Sequence, residues 1–192
     1  RRQRQMCIRD RFRILSLVLV VVAPSAFADS PYLVEMILVR QNAEPVINSR
    51  AAPENWDAGA ARLPTDKLSP PRLGNIVDKL SADNSYTVLL HRAWDQNLGE
   101  QPVKLAITDG QEQFGQFPIE GTLNLQLGRF TDIDADFWIN QFDANGSVIA
   151  SEHLSQQDVR TKNNQLNYLD GGHLALLIKI TSLTAKPPSA PP

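Results

Sequence analysis

The sequence predicts an α+β fold: a single antiparallel, meander-rich sheet with one amphipathic helix packed on it. Three observations carry the prediction. LSPPRLGNIVDKL places Leu73, Ile76, Val77 and Leu80 at i, i+3, i+4 and i+7, the apolar stripe of a helix. From residue 86 to 181 the apolar spacing is two, the period of strands. Thr108-Asp109-Gly110, Ala144-Asn145-Gly146 and Lys162-Asn163-Asn164 supply turn chemistry between the runs. Strands joined by short turns make a meander, and one helical stripe covers one sheet face.

In chain order, residues 1–28 come first and read as a secretory signal peptide. Arg13 precedes the apolar run from Ile14 to Ala23, and Pro24-Ser25-Ala26-Phe27-Ala28 forms the exit, so cleavage is expected after Ala28. The run is shorter than the roughly 20 residues a spanning helix needs. Residues 1–11, RRQRQMCIRDR, resemble the translation of a sequencing adapter; a genuine basic n-region is the alternative.

Cleavage removes six Arg and one Asp from 19 basic and 21 acidic residues, leaving 13 against 20, or −7. An acidic chain argues against nucleic acid, whose phosphates demand basic surface. The single cysteine, Cys7, leaves as well, so no disulfide, thiol nucleophile or cysteine anchor at the cleavage site is expected. An exported chain of this kind fits the periplasm of a Gram-negative bacterium. The remaining 164 residues (192 − 28) suffice for one domain, 29–183.

Tyr32 to Arg40 reads as the first strand, with Glu35 expected on the solvent face or at an edge. Residues 41–68 carry Pro45, Pro53 and Pro64 without periodicity and read as a long, mobile loop that Trp56 could anchor. Ser69 is the expected helix cap and Pro70 the first helical residue. The strands that follow are 86–94, 103–108, 119–128, 131–142, 147–159, 165–169 and 173–181. Residues 184–192 form a Pro-rich tail expected to be disordered.

Between Leu123 and Ile139 the odd positions are largely apolar and the even ones largely polar. The register holds across Gly128-Arg129, as in one long bent strand or two collinear ones, with Gly128 as the bend. The even face stacks Asp132, Asp134 and Asp136 between Phe130 and Trp138. One reading is a binding surface for a cation or amines, with rings to lie against a sugar or peptide. The other is a solvated face with cross-strand Lys or Arg partners. Asp-x-Asp-x-Asp here lacks the Gly and Glu of a calcium loop.

His153 and His173 stand beside Glu152 and Asp170, but H-E-x-x-H is missing and His91 is remote in sequence. Neither a P-loop, nor G-x-G-x-x-G, nor G-x-S-x-G occurs. No metal or cofactor is expected. Trp94 lies in a strand apolar on both faces and reads as core.

VLLHRAWDQ followed by PVKLAI, then EGTLNLQLGRF, then NYLD before an apolar last strand, resembles the CsiV family of periplasmic peptidoglycan-binding proteins. The residues that match its pattern are Leu90, His91, Trp94 and Gln96; Glu120, Gly121, Thr122, Leu123, Gly128 and Arg129; and Tyr168, Leu169 and Asp170. Phe130 stands where the family has Tyr, and a basic run is reduced here to Gln156-Gln157-Asp158-Val159-Arg160. Asn167-Tyr168 replaces a His-Tyr pair, and Gly171-Gly172 replaces His-Pro.

The resemblance implies a non-catalytic protein that binds peptidoglycan and supports cell-wall synthesis through the lipoprotein activator of a class A penicillin-binding protein. For murein, the candidate surface is Phe130, Asp132, Asp134, Asp136 and Trp138, since rings cover sugar faces and carboxylates meet a stem-peptide amine. Arg129 and Arg160 follow as donors to stem-peptide carboxylates. Asp170-Gly171-Gly172 reads as the turn feeding a mostly buried last strand, Asp170 capping it, rather than as an active site. Two alternatives stand beside this: a periplasmic hydrolase built on His153, His173 and nearby acids, and a pure protein–protein adaptor docking by an edge strand or the 41–68 loop.

Overall fold

A computed structural model describes residues 29–184; the expected signal peptide and residues 185–192 of the tail lie outside the described residues. The long strands are β1 (Ser30–Gln41), β4 (Tyr86–Leu98), β5 (Val103–Asp109), β6 (Ile119–Leu127), β7 (Thr131–Phe142), β8 (Val148–Thr161), β9 (Leu166–Asp170) and β10 (Leu174–Ser182). Two-residue strands β2 (Asn48–Ser49) and β3 (Ala61–Arg62) sit in the expected loop, and the single described α-helix, α1, spans Gly74–Ala82. That helix is too short and too polar to cross a membrane.

The sheet is not single. A four-stranded antiparallel sheet, order β4-β1-β10-β9, packs on a six-stranded sheet, order β2-β8-β7-β6-β5-β3, in which β3 runs parallel to β5. One core joins their facing sides: Met36, Leu38, Trp94 and Ile178 from the first meet Ile107, Leu123, Phe137 and Leu154 from the second. The meander reading fails at two corners. Residues 99–102 lead from β4 to β5, and the Lys162-Asn163-Asn164 turn leads from β8 to β9, each across to the other sheet. Turn residues mark a reversal of the chain; they do not say whether the flanking strands pair.

The layers explain two kinds of strand. The four-stranded sheet lies between α1 and the other sheet, so β1 is buried without a break from Leu33 to Val39. Met36 and Leu38 face the core, while Ile37, Val39, Ala175 and Leu177 face Leu73, Ile76, Val77 and Leu80 of the helix segment. β7, in an outer layer, alternates buried and half-buried residues from Thr131 to Ile139.

Glu35 is on the helix side but is not solvated. It is 2% exposed, and its Oε1 accepts N–H bonds from Arg72 (2.8 Å) and Leu73 (2.7 Å) and contacts His91 Nε2 (2.7 Å). A carboxylate from a distant strand thus satisfies free donors at the helix N-terminus, where the dipole favours negative charge. Ser69 does not cap; its hydroxyl donates to Asp95 (2.8 Å), and the helix begins at Gly74. Pro70 therefore precedes the helix.

β6 and β7 are not collinear. They form an antiparallel hairpin, Leu127 opposite Thr131, with Gly128–Phe130 as its turn. A three-residue turn keeps opposite partners on the same parity, so the alternation runs through it as through a continuous strand. Trp56 is an anchor as expected: 5% exposed, it packs on Ala106 and Phe117 and donates Nε1–H to the Gly115 carbonyl (3.2 Å). Asp170 caps its turn as expected, Oδ1 accepting the Gly172 N–H at 3.0 Å.

Candidate functional site

The outer face of the six-stranded sheet has two halves. One lies under the 50–60 loop. There Glu120, fully buried, accepts N–H bonds from Phe117 (2.7 Å) and Asn140 Nδ2 (2.7 Å). Asn140 Oδ1 accepts the Ser151 hydroxyl (2.6 Å), whose oxygen accepts the Ala52 N–H (2.9 Å). This chain of bonds pins the loop to the sheet. Burial pushes the Glu120 carboxyl above its ordinary range, against the pull of its two donors and with a smaller push from Asp57.

The other half is open. Cross-strand registers build three rows: Lys104–Asn124–Asp134, Ala106–Thr122–Asp136–Ser155, and Gln126–Asp132–Arg160. Ile133 pairs Val159 while Ala135 pairs Gln156, so β8 bulges and both Gln157 and Asp158 oppose Asp134. Asp158 adopts φ 54°, a left-handed conformation that Asp tolerates better than most side chains, and its N–H donates to Asp134 Oδ1 (2.8 Å). Along this row runs a groove of about 380 Å³ lined by Lys104, Thr122, Asn124, Asp134, Asp136 and Asp158 among others. A smaller depression of about 170 Å³ continues it past Gln126 and Asp132 to Arg160.

The sequence candidates other than Trp138 fall along this half. Asp132 accepts from Arg160 Nε (3.0 Å), and Asp136 contacts His153 Nε2 (2.5 Å). Asp134 accepts from Asn124 Nδ2 (3.0 Å). Two of the three carboxylates therefore have the cross-strand basic partners of the solvated-face reading, Arg160 in one case and a histidine in the other. Trp138 is no open platform: His153 stacks on it at 3.6 Å and 6°, and it packs against the Trp56 cluster. Phe130 sits at the hairpin tip with the Arg129 and Arg160 guanidinium carbons 5.7 and 5.9 Å from its ring centre.

The three histidines do not converge. His91 holds Glu35 on the helix side, and His153 lies on the open face. His173 is buried near the junction of β9 and β10, 3.6 Å from Oε2 of Glu152, whose carboxylate Arg40 clasps by donating Nε–H to Oε2 (2.8 Å) and Nη2–H to Oε1 (2.5 Å). A site needing His153 and His173 together is not assembled. Among the described residues, no group of three His, Cys, Asp or Glu is arranged to hold a metal ion.

A family model for the peptidoglycan-binding protein CsiV matches residues 60–183, from β3 to the end of β10. The chain belongs to the CsiV family. Neither the curated proteins nor the solved structures give a match. The residues that carried the CsiV resemblance are chiefly scaffold. His91 positions Glu35, Trp94 is fully buried, and Leu169 is core. Glu120 fixes the loop, and Gly121 leaves room for the Phe137 ring, which a Cβ there would strike. Only Thr122 of these residues lines the groove.

Lys104, Asn124 and Asp158 line the groove and were not among the sequence candidates. Lys104 and Asn124 were reachable by applying the same alternation to PVKLAI and EGTLNLQL. Asp158 was not, because the bulge that brings it opposite Asp134 breaks the alternation of β8.

Proposed function

We propose that this protein is a non-catalytic periplasmic protein that binds peptidoglycan through the open half of the six-stranded sheet. The observation that carries the reading is the groove itself: a concave surface on a rigid sheet, lined by Asp134, Asp136 and Asp158. Membership of the CsiV family supports murein as the ligand. In this reading the carboxylates meet stem-peptide amines, and the exposed Arg129 and Arg160 at the tip meet stem carboxylates.

A sacculus pull-down tests it. The full chain is expected in the pellet with purified sacculi. The double variant Asp134→Asn/Asp136→Asn is expected to shift largely to the supernatant with its melting temperature little changed, because both side chains are half-exposed. Undiminished binding by that variant removes the groove from consideration.

The pure-adaptor alternative docks by an edge strand or by the 41–68 loop. β8 offers an open edge outside Ser151 and Glu152, which pair with β2, but the bulge and the charges of Asp158 and Arg160 blunt it, and the loop is held against the sheet at Ala52 and Trp56. We therefore place murein first and keep support of cell-wall synthesis, through a lipoprotein activator of a class A penicillin-binding protein, as the second part of the proposal. Co-precipitation with such a lipoprotein, in the absence of sacculi, tests that part separately.

A further inference from the structure

Resting on the reading of the groove as the murein site, we propose that it recognises a zwitterionic amino-acid head group, an ammonium beside a carboxylate, at the free end of an uncross-linked stem peptide. The argument comes from which charges on this face lack partners. Asp132 is engaged by Arg160 and Asp136 by His153. Asp134 receives only neutral donors, the Asn124 amide and the Asp158 N–H. The Asp158 carboxylate has no partner among the described residues. Nor has the Lys104 ammonium, on the opposite wall of the same groove.

Lys104 and Asp134 are separated by one strand through the row Lys104–Asn124–Asp134. Two strand spacings are about 10 Å, within the combined reach of a lysine stem and a small ligand. A ligand with only a carboxylate pairs with Lys104 but faces two uncompensated carboxylates. One with only an ammonium leaves Lys104 without a counter-charge. A neutral glycan takes water from both walls and pairs neither charge. A zwitterion satisfies both, and the volume accommodates an amino-acid end with part of its chain.

The inference carries a selectivity. Cross-linking joins the acceptor amine to a neighbouring stem's carboxyl as an amide, which removes the positive charge and leaves the adjacent carboxylate. The groove then loses the partner of Asp134 and Asp158 while keeping that of Lys104. Loss of one charge-assisted contact corresponds to roughly tenfold in affinity or more.

Titration of the full chain with three soluble probes tests this: an uncross-linked muropeptide with a free stem amine, the same muropeptide N-acetylated at that amine, and peptide-free glycan strands. The free-amine probe is expected to bind about tenfold tighter than the acetylated one, with glycan weakest. Asp158→Asn should reduce that preference, leaving Asp134 alone to meet the ammonium, and Asn tolerates the left-handed conformation at this position. Lys104→Met should weaken both peptide probes alike. Equal binding of the free and acetylated probes, or tightest binding of naked glycan, overturns the zwitterion while leaving the groove a murein site. Retention by intact sacculi with no binding of any soluble probe overturns it too. Failure to bind sacculi at all overturns the underlying reading as well.

Discussion

The outer faces of the two sheets answer the same problem in opposite ways. On the four-stranded sheet, helix α1 covers the face around Glu35, whose carboxylate is buried with its Oε1 engaged by two backbone N–H groups and His91. On the six-stranded sheet the cover stops halfway. The 50–60 loop seals Glu120, while Asp132, Asp134, Asp136 and Asp158 remain in reach of solvent along a groove. A carboxylate in the first setting acts on the chain itself; in the second it is available to something else. The comparison separates residues that build the fold from residues that can bind, and each variant below tests one side of it.

The largest effect is expected at Glu35. Glu35→Ala leaves two backbone N–H groups and His91 facing a cavity beneath the helix start, which should destabilise the fold by about 3–5 kcal/mol. Denaturant unfolding measures it. A loss under about 1 kcal/mol would mean the covered face is less dependent on this carboxylate than its geometry indicates. Trp56→Ala comes next. It removes the packing on Ala106 and Phe117 and the bond to Gly115, for about 3 kcal/mol, and should free the loop to proteolysis. If the loop stays protected, the Glu120–Asn140–Ser151 bonds alone suffice to hold it.

How much of this was legible in the sequence follows from what period-two spacing encodes. Alternation located the seven long strands from β4 to β10, because it reports which face each residue takes; β1 is legible from its apolar, β-forming composition instead. Alternation was blind to neighbours: the β6–β7 hairpin and a collinear strand give the same pattern when the turn preserves parity, as the pairing of Leu127 with Thr131 shows. The second sheet had left a trace, since Leu33–Val39 is apolar apart from Glu35 and does not alternate, as befits a strand covered on both sides. Glu35 and the β8 bulge were out of reach. One depends on a contact 37 and 38 residues away in sequence, the other on a local break in the period.

Glu120 offers a pH-dependent contrast. Its folded-state pKa lies above the ordinary value of 4.5, so the protonated form is favoured in the fold. Its contribution to stability is fully present below that ordinary value and is lost as pH rises through the raised one. Glu120→Gln cannot ionise, so relative to wild type it should become progressively more stable as pH rises above 4.5. Melting temperatures of both proteins across that range check it. A constant difference would mean that the Phe117 and Asn140 donors offset the burial of the charge.

The smallest effect is expected at the pair that most resembles ordinary surface. Asp132 and Arg160 meet at 3.0 Å with side chains 43% and 68% exposed. Water screens such a pair and both side chains lose freedom in forming it, so a double-mutant cycle on Asp132→Asn and Arg160→Gln should give a coupling below about 1 kcal/mol. That value matters beyond its size. Weak coupling means Arg160 can leave Asp132 for a ligand carboxylate at little cost, which keeps the end of the groove adaptable. A coupling of several kcal/mol would make this pair part of the scaffold, like Glu35 and His91, and would confine ligand contacts to the row running from Lys104 to Asp158.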